Sequence, residues 1–189
     1  DVPPIGLAFW RWAAGFLMVV AFAWPHLRRD WPTIRRHWRI ILLLSVLGVS
    51  VFNTLVYIGL GHTTAINALL VQSTMPVAIL LVSFILYRER VGPLQGLGVA
   101  ISFAGILIII AHGDLSILAA LHLNPGDLWV AAAVLSYAGY SVLLRRAPGM
   151  HPLSLLAVTF AVGAAVLAPF YVAESVTTAL VRPDLNSIL

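Results

Sequence analysis

Cysteine is absent from all 189 residues, and lysine is absent as well, so every one of the eleven basic residues is an arginine. The first absence excludes disulfides, thiolate nucleophiles and thiolate-bound metal. Charge of either sign is scarce too. Only 10% of the chain is Asp, Glu, Lys or Arg against 61% apolar residues, and the mean hydropathy is +0.99. Soluble domains carry about a quarter charged residues. With so little polar surface the chain cannot coat a particle in water, and its solvent is lipid. The excess of arginine, a net charge of +4, would suit nucleic acid were it spread over a surface. It is instead gathered into short gaps between apolar runs, and nucleic acid is excluded as a partner.

Six runs are each near the ~20 residues that cross a ~30 Å hydrocarbon core. They extend over Pro4–Trp24, Trp38–Gly61, Thr64–Tyr87, Pro93–Ala111, Pro125–Leu144 and Pro152–Ala173. Lipid offers the backbone no partners, so these are helices or barrel strands. Strands would be about half as long and would alternate polar with apolar residues. The fold class is therefore all-α, a polytopic helical membrane protein. Pro4, Pro93, Pro125 and Pro152 stand where a missing N–H costs nothing, with Asn124 as a cap before Pro125.

The gaps sort by charge. The first holds Arg28, Arg29, Arg35, Arg36 and Arg39, the third Arg88 and Arg90, the fifth Arg145 and Arg146. The second gap has no charge, and the fourth has Asp114 but no arginine. This positive-inside bias places the arginine gaps in the cytoplasm. Trp24, Trp38 and Tyr87 then lie at the cytoplasmic interface, with Trp129 and Tyr171 at the other. The stretch Arg28–Arg39 reads as a solvated loop in contact with lipid headgroups.

Sliding the chain by 148 positions lays the first run on the sixth: Pro4 on Pro152, Ala13 on Ala161, Gly15 on Gly163, Phe22 on Phe170. The matched helices are five crossings apart, so they run in opposite directions, which is the pattern of an inverted repeat. By the same offset the chain is expected to be a fragment. Residues 1–112 would be the last four helices of a first five-helix repeat, and 124–189 the first two helices of a second repeat plus a following loop.

The residues also resemble a known family. Phe9-Trp10-Arg11-Trp12, Tyr57 through Ala65 running on to Gln72 and Pro76, Arg88-Glu89-Arg90, Gly96 to Gly105, Gly126-Asp127-Leu128 and Leu135 through Arg146 are similar, in order and spacing, to the EamA-type branch of the drug/metabolite transporters. Tyr137 stands where that family more often has tryptophan. The resemblance implies a ten-helix, five-plus-five carrier in a bacterial inner (plasma) membrane, of which helices two to seven are visible here. It implies a small metabolite as cargo, such as an amino acid or another amphipathic or anionic compound, moved by alternating access.

Candidate substrate-binding residues follow from polar groups at depth. Arg11 lies about seven residues inside its run, where facing lipid costs from ~2.5 to over 10 kcal/mol. It either grips an anionic substrate, snorkels outward or ties two helices together. Ser50, Asn53 and Tyr57 form a stripe at i, i+3 and i+7, Asn67 and Thr74 repeat the seven-residue spacing beside Gln72, and Ser136, Tyr137, Tyr140 and Ser141 cluster within two turns. Each is either cavity lining or interhelical glue. Pro76, at mid-run, takes away the donor for the Gln72 carbonyl and marks a hinge or kink. Small residues from Gly92 to Gly105 suit close packing, and Glu89 is placed for a local ion pair with Arg88 or Arg90.

No serine sits in GxSxG, no HxxxH pair exists, and no carboxylate lies mid-run. The chain is read as a carrier and not an enzyme, with no cofactor and no metal. A non-transporting assembly or receptor protein is the alternative, an intramembrane enzyme a weaker one. The expected partners are the lipid bilayer and the small-molecule substrate, with a homodimer left open.

Overall fold

The computed structural model of the chain describes residues 4–111, 122 and 124–177. Among these, regular structure is entirely helical. Eight α-helices follow one another: α1 (Pro4–Arg36), α2 (Trp38–Ser45), α3 (Phe52–Leu60), α4 (Ala65–Ser73), α5 (Met75–Tyr87), α6 (Pro93–Ala111), α7 (Pro125–Leu143) and α8 (Pro152–Thr177). A π-helical segment, Val46–Val51, joins α2 to α3, and a 3-10 turn, Leu144–Arg146, ends α7. Five stretches are long and apolar enough to cross a membrane: Ile5–Arg36, Trp38–Leu60, Ala65–Tyr87, Pro125–Arg146 and Pro152–Ser175. The sixth expected crossing is the 19-residue α6, whose apolar part Pro93–Ile108 is shorter. The chain is a multi-pass integral membrane protein. The fourth gap, apart from His122 and Asn124, lies outside the described residues.

One expectation is corrected. The arginine-rich stretch is not a loop, because α1 runs unbroken through Arg36 and turns only at His37. Its 33 residues span about 50 Å, well beyond a ~30 Å core. Pro25 and Pro32 both lie inside it, although an interior proline costs a helix about 3 kcal/mol. Packing holds the extension together. Ala23 and Ile34 are buried, and the Asp30 carboxylate accepts the His151 backbone N–H at 2.9 Å. His26 stacks on His151 with ring centroids 3.6 Å apart.

The described residues form two compact units, one comprising the chain up to Ser50 together with the part from Ala147 on, the other Val51–Arg146. In the first unit α1 and α8 pack antiparallel. Near the start of α1 the N–H groups of Ile5 and Gly6 donate to the Glu174 carboxylate, and Trp10 Nε1 donates to the Tyr171 hydroxyl. Further along, Trp12 packs on Phe160, and His26 reaches the beginning of α8. Glu174 thus caps a neighbouring helix, supplying an acceptor to first-turn donors that have no partner in their own helix. The π segment presses on α8 at Gly163, where an added Cβ would lie 2.6 Å from Val49 Cβ. Ser50 Oγ donates to the Gly163 carbonyl at 3.0 Å.

In the second unit α7 is the hub, touching α3, α4 and α5. Its buried residues, Gly126, Asp127, Val130, Ala133, Val134, Ala138 and Val142, recur at three- and four-residue steps and are nearly all small. Small side chains let helices approach closely where lipid provides no hydrophobic drive. The limit is reached where α3 ends and α7 begins. A Cβ on Gly59 would stand 2.6 Å from Val130 Cγ2 and 2.9 Å from the Gly126 carbonyl, and one on Gly126 would meet the backbone of His62 and Thr63 at 2.6 and 2.7 Å. Backbone lies on backbone there. Farther along, Val134 and Ala138 of α7 pack with Ala78, Met75, Ile79 and Val82 of α5.

Gly126→Ala is expected to cost about 1–3 kcal/mol, the usual range for overpacking, because the neighbouring atoms are backbone and cannot rotate away. Thermal unfolding in detergent reads this as a lowered midpoint, with Gly149→Ala, where an added Cβ meets open space, as the unaffected comparison.

Candidate functional site

Two breaks in the apolar helices decide where polar side chains lie. The first is the π segment. Its wide turn changes the phase of the helix, so the stripe expected from Ser50, Asn53 and Tyr57 divides. Ser50 is spent on Gly163 in the first unit, while Asn53 and Tyr57 belong to the second. The second break falls at Thr74, between α4 and α5, with Pro76 in the first turn of α5. Proline cannot donate to the Gln72 carbonyl, and the helix ends rather than merely bending. In the last turn of α4 the Thr74 N–H turns to Val71 O, Thr74 Oγ1 donates to the same carbonyl and Ser73 Oγ donates to Leu70 O, the two hydroxyl bonds at 2.6 Å.

Around α7 the polar groups fall at three levels. At its first turn Asp127 is 6% exposed and surrounded by donors. Thr63 Oγ1 donates to one carboxylate oxygen, and the Asn124 N–H (2.7 Å) and Asn67 Nδ2 (3.3 Å) donate to the other. Asn67 Nδ2 also reaches the His122 carbonyl at 2.8 Å. A carboxylate at a helix N-terminus is favoured by the backbone dipole, and this one binds the start of α4 to the start of α7. Asn67, one of the candidate ligands, has its amide donor committed to this knot.

At mid-height lies an aromatic and amide cluster. Phe52 and Tyr137 have ring centroids 4.9 Å apart, and Tyr137 and Tyr140 5.4 Å. The Phe52–Tyr137 contact sets Tyr137 level with the first turn of α3, where the neighbouring residue Asn53 is buried. Tyr57 and Gln72 are half-buried in the same unit. The structure therefore brings Phe52, Tyr137 and Tyr140 together, with Asn53 the residue after Phe52. Arg11 belongs to the other unit, exposed on α1 with its guanidinium 5.6 Å from the Trp12 ring centroid.

The third level is at the far end of α7. Arg88 ends α5 in the left-handed conformation, φ 57°, which turns the chain so that Glu89 folds back to accept Ser83 Oγ at 2.6 Å. Arg145 Nη1 lies 2.6 Å from both Glu89 oxygens, and Arg146 Nε donates to the Tyr87 hydroxyl. Glu89 thus pairs across to α7's end and not with its neighbours Arg88 and Arg90, because the left-handed turn aims it away from them. The Arg145 guanidinium foremost, then the Ser83 hydroxyl, holds its carboxyl below the ordinary carboxylate range.

Asp127, Glu174 and Phe52 were not singled out from sequence for any role. Asn124 followed three residues later by Asp127 is a capping pattern that marks the first. Glu174 and Phe52 have no comparable local signature, since their partners are 168 and 85 residues away. Among the described residues no group of three His, Cys, Asp or Glu is placed to hold a metal ion.

A family model, the EamA-like transporter family, matches residues 1–111. The chain is 26% identical over 87% of its length to the uncharacterized transporter YyaM of Bacillus subtilis, and 28% identical over 90% to an uncharacterized transporter of Archaeoglobus fulgidus. A third relative, an uncharacterized transporter of Methanothermobacter thermautotrophicus, is 30% identical over 56% of the chain. The chain covers 54%, 58% and 31% of these relatives, about half the length of the first two. No solved structure matches it significantly.

A lowered folded-state pKa means that Glu89 adds stability above its unfolded pKa and loses it as pH falls through the folded value. Thermal midpoints measured across acid pH should fall less in Glu89→Gln than in the parent, and the parent's extra loss should lie below the ordinary carboxylate range. An identical acid profile for the two proteins would remove Glu89 from that role.

Proposed function

The chain belongs to the EamA-like transporter family, and from that premise we propose that it supplies helices to a secondary carrier whose substrate rests against Asn53, Tyr137 and Tyr140. The supporting observation is a run of ring contacts, Phe52 on Tyr137 and Tyr137 on Tyr140, with the buried Asn53 amide next to Phe52 in the chain. A membrane helix gains little from a polar group at depth unless that group has a partner. Two hydroxyls, an amide and the ring faces of Phe52 and Tyr137 suit a small amphipathic metabolite, because apolar walls carry affinity while a few polar atoms fix orientation.

Alternating access is the mechanism that an inverted repeat supports. Support for the repeat comes from the first and sixth runs, which match at an offset of 148 and form α1 and α8, an antiparallel pair. On this reading residues 1–112 and 124–189 are parts of two opposed repeats. Arg11, on the first of the matched helices, carries the guanidinium that would pair with a carboxylate or other anionic group of the substrate. Gln72 and Tyr57 are further candidate ligands of the same unit, and the break at Thr74 and Pro76 would let α4 and α5 change angle. The arginine-bearing ends of α1, α5 and α7 face the cytoplasm of a bacterial inner membrane, by the charge bias. The protein moves its cargo without covalent chemistry.

The test is flux of a metabolite panel into liposomes by the full-length protein. Tyr137→Phe keeps the ring and removes the hydroxyl, and should raise KM roughly fivefold with maximal rate retained, as expected for one lost hydrogen bond. Asn53→Ala should lower transport more, since it removes a group that has no exposed substitute. Full activity of both variants at normal expression would overturn the assignment.

A further inference from the structure

The helical form of the arginine-rich stretch creates a surface that a loop would not have. At 100° per residue, Trp24, Arg28, Trp31 and Arg35 fall within an arc of about 60° on α1. The same spacing one residue earlier gives Ala23, Leu27, Asp30 and Ile34, of which Ala23 and Ile34 are buried. The stretch therefore has an inward stripe held by its own unit and, rotated by about a third of a turn, an outward one. Trp24 is 52% exposed and Trp31 55%, with Arg28 and Arg35 also exposed between them. The Arg28 guanidinium lies 5.0 Å from the Trp24 ring centroid. At the start of α2 a second pair repeats the chemistry: Trp38 is 55% exposed, with Arg39 5.7 Å from its ring centroid.

We infer that this face, Trp24, Arg28, Trp31 and Arg35 with Trp38 and Arg39, is a docking surface for the headgroups of anionic phospholipids. The charge is complementary. Asp30, the carboxylate on this stretch, lies on the inward stripe and is engaged by the His151 N–H, so the outward arginines keep their full charge. Guanidinium groups fork onto phosphate oxygens, and indole rings settle at the level where headgroups meet acyl chains. Trp24 marks the end of the apolar run, which puts the following turns at headgroup depth and beyond. An apolar partner helix would leave these arginines desolvated, and a soluble acidic partner would have no use for three exposed indoles. An anionic bilayer surface satisfies both residue types.

This rests on the multi-pass membrane reading and not on the carrier reading, so the experiment monitors lipid and not flux. The full-length protein is placed in phosphatidylcholine nanodiscs doped with brominated phosphatidylglycerol or brominated phosphatidylcholine, and tryptophan quenching is followed. The anionic probe should quench several-fold more strongly per mole at about 0.05 M salt, and the excess should vanish near 0.5 M, where screening shortens to a few ångströms. R28Q/R35Q should lose most of that several-fold preference, while R28K/R35K, which keeps the charge, should retain most of it. W24F/W31F/W38F should lose the excess quenching because its reporters are gone. Equal quenching by the two probes overturns the proposal, as does an excess that survives in R28Q/R35Q or in W24F/W31F/W38F. A short RNA that displaces the anionic lipid signal at equal concentration would reassign the face to nucleic acid.

Discussion

A backbone N–H or C=O that enters hydrocarbon without a partner costs several kcal/mol, and that penalty organises the places where this chain stops being a regular helix. At Thr74 the helix fails because proline follows, and two hydroxyls donate to carbonyls of the last turn of α4. At the start of α1 the donors are met by Glu174 from the other end of the sequence. At the start of α7 the Asp127 carboxylate collects the Asn124 N–H and two side-chain donors. Each interruption is accompanied by a polar side chain that discharges the debt, and these side chains in turn tie helices together.

The consequence for the second unit is a hub helix held at both ends. Asp127 binds α7 to the Thr63–Asn67 segment at one end, and Arg145 and Arg146 bind it to Glu89 and Tyr87 at the other. Between them the contact is made by glycine, alanine and valine, which close the helices to backbone distance without polar help. Asn53, Tyr137 and Tyr140 are polar residues of α3 and α7 outside these two end groups. Asn67, of the same residue type as Asn53, is drawn into the end knot by its proximity to a carboxylate.

Legibility varied with the range of the interaction. Helix starts at Pro4, Pro93, Pro125 and Pro152 could be read directly, because proline's missing donor is a local property. The break near Pro76 followed from the same chemistry. The helical continuation of α1 through Arg36 could not be read that way, since two interior prolines argue against it and only the burial of Ala23 and Ile34 and the His26–His151 contact argue for it. Glu89 was legible as an ion-pairing residue but not as the partner of Arg145, because a left-handed Arg88 redirects it.

Composition alone determined the solvent, the all-helical class and the approximate crossings, because lipid permits few solutions to the backbone hydrogen-bond problem and periodic apolar runs reveal which one is used. The EamA-like membership could likewise be read from the order of short motifs. Tertiary structure decided which helices the polar residues tie together, Asn67 at Asp127 and Ser50 at Gly163 among them, since that depends on what stands opposite each side chain. It also decided that the stretch is helical through Arg36, which sets Arg28 and Arg35 on one face with Trp24 and Trp31.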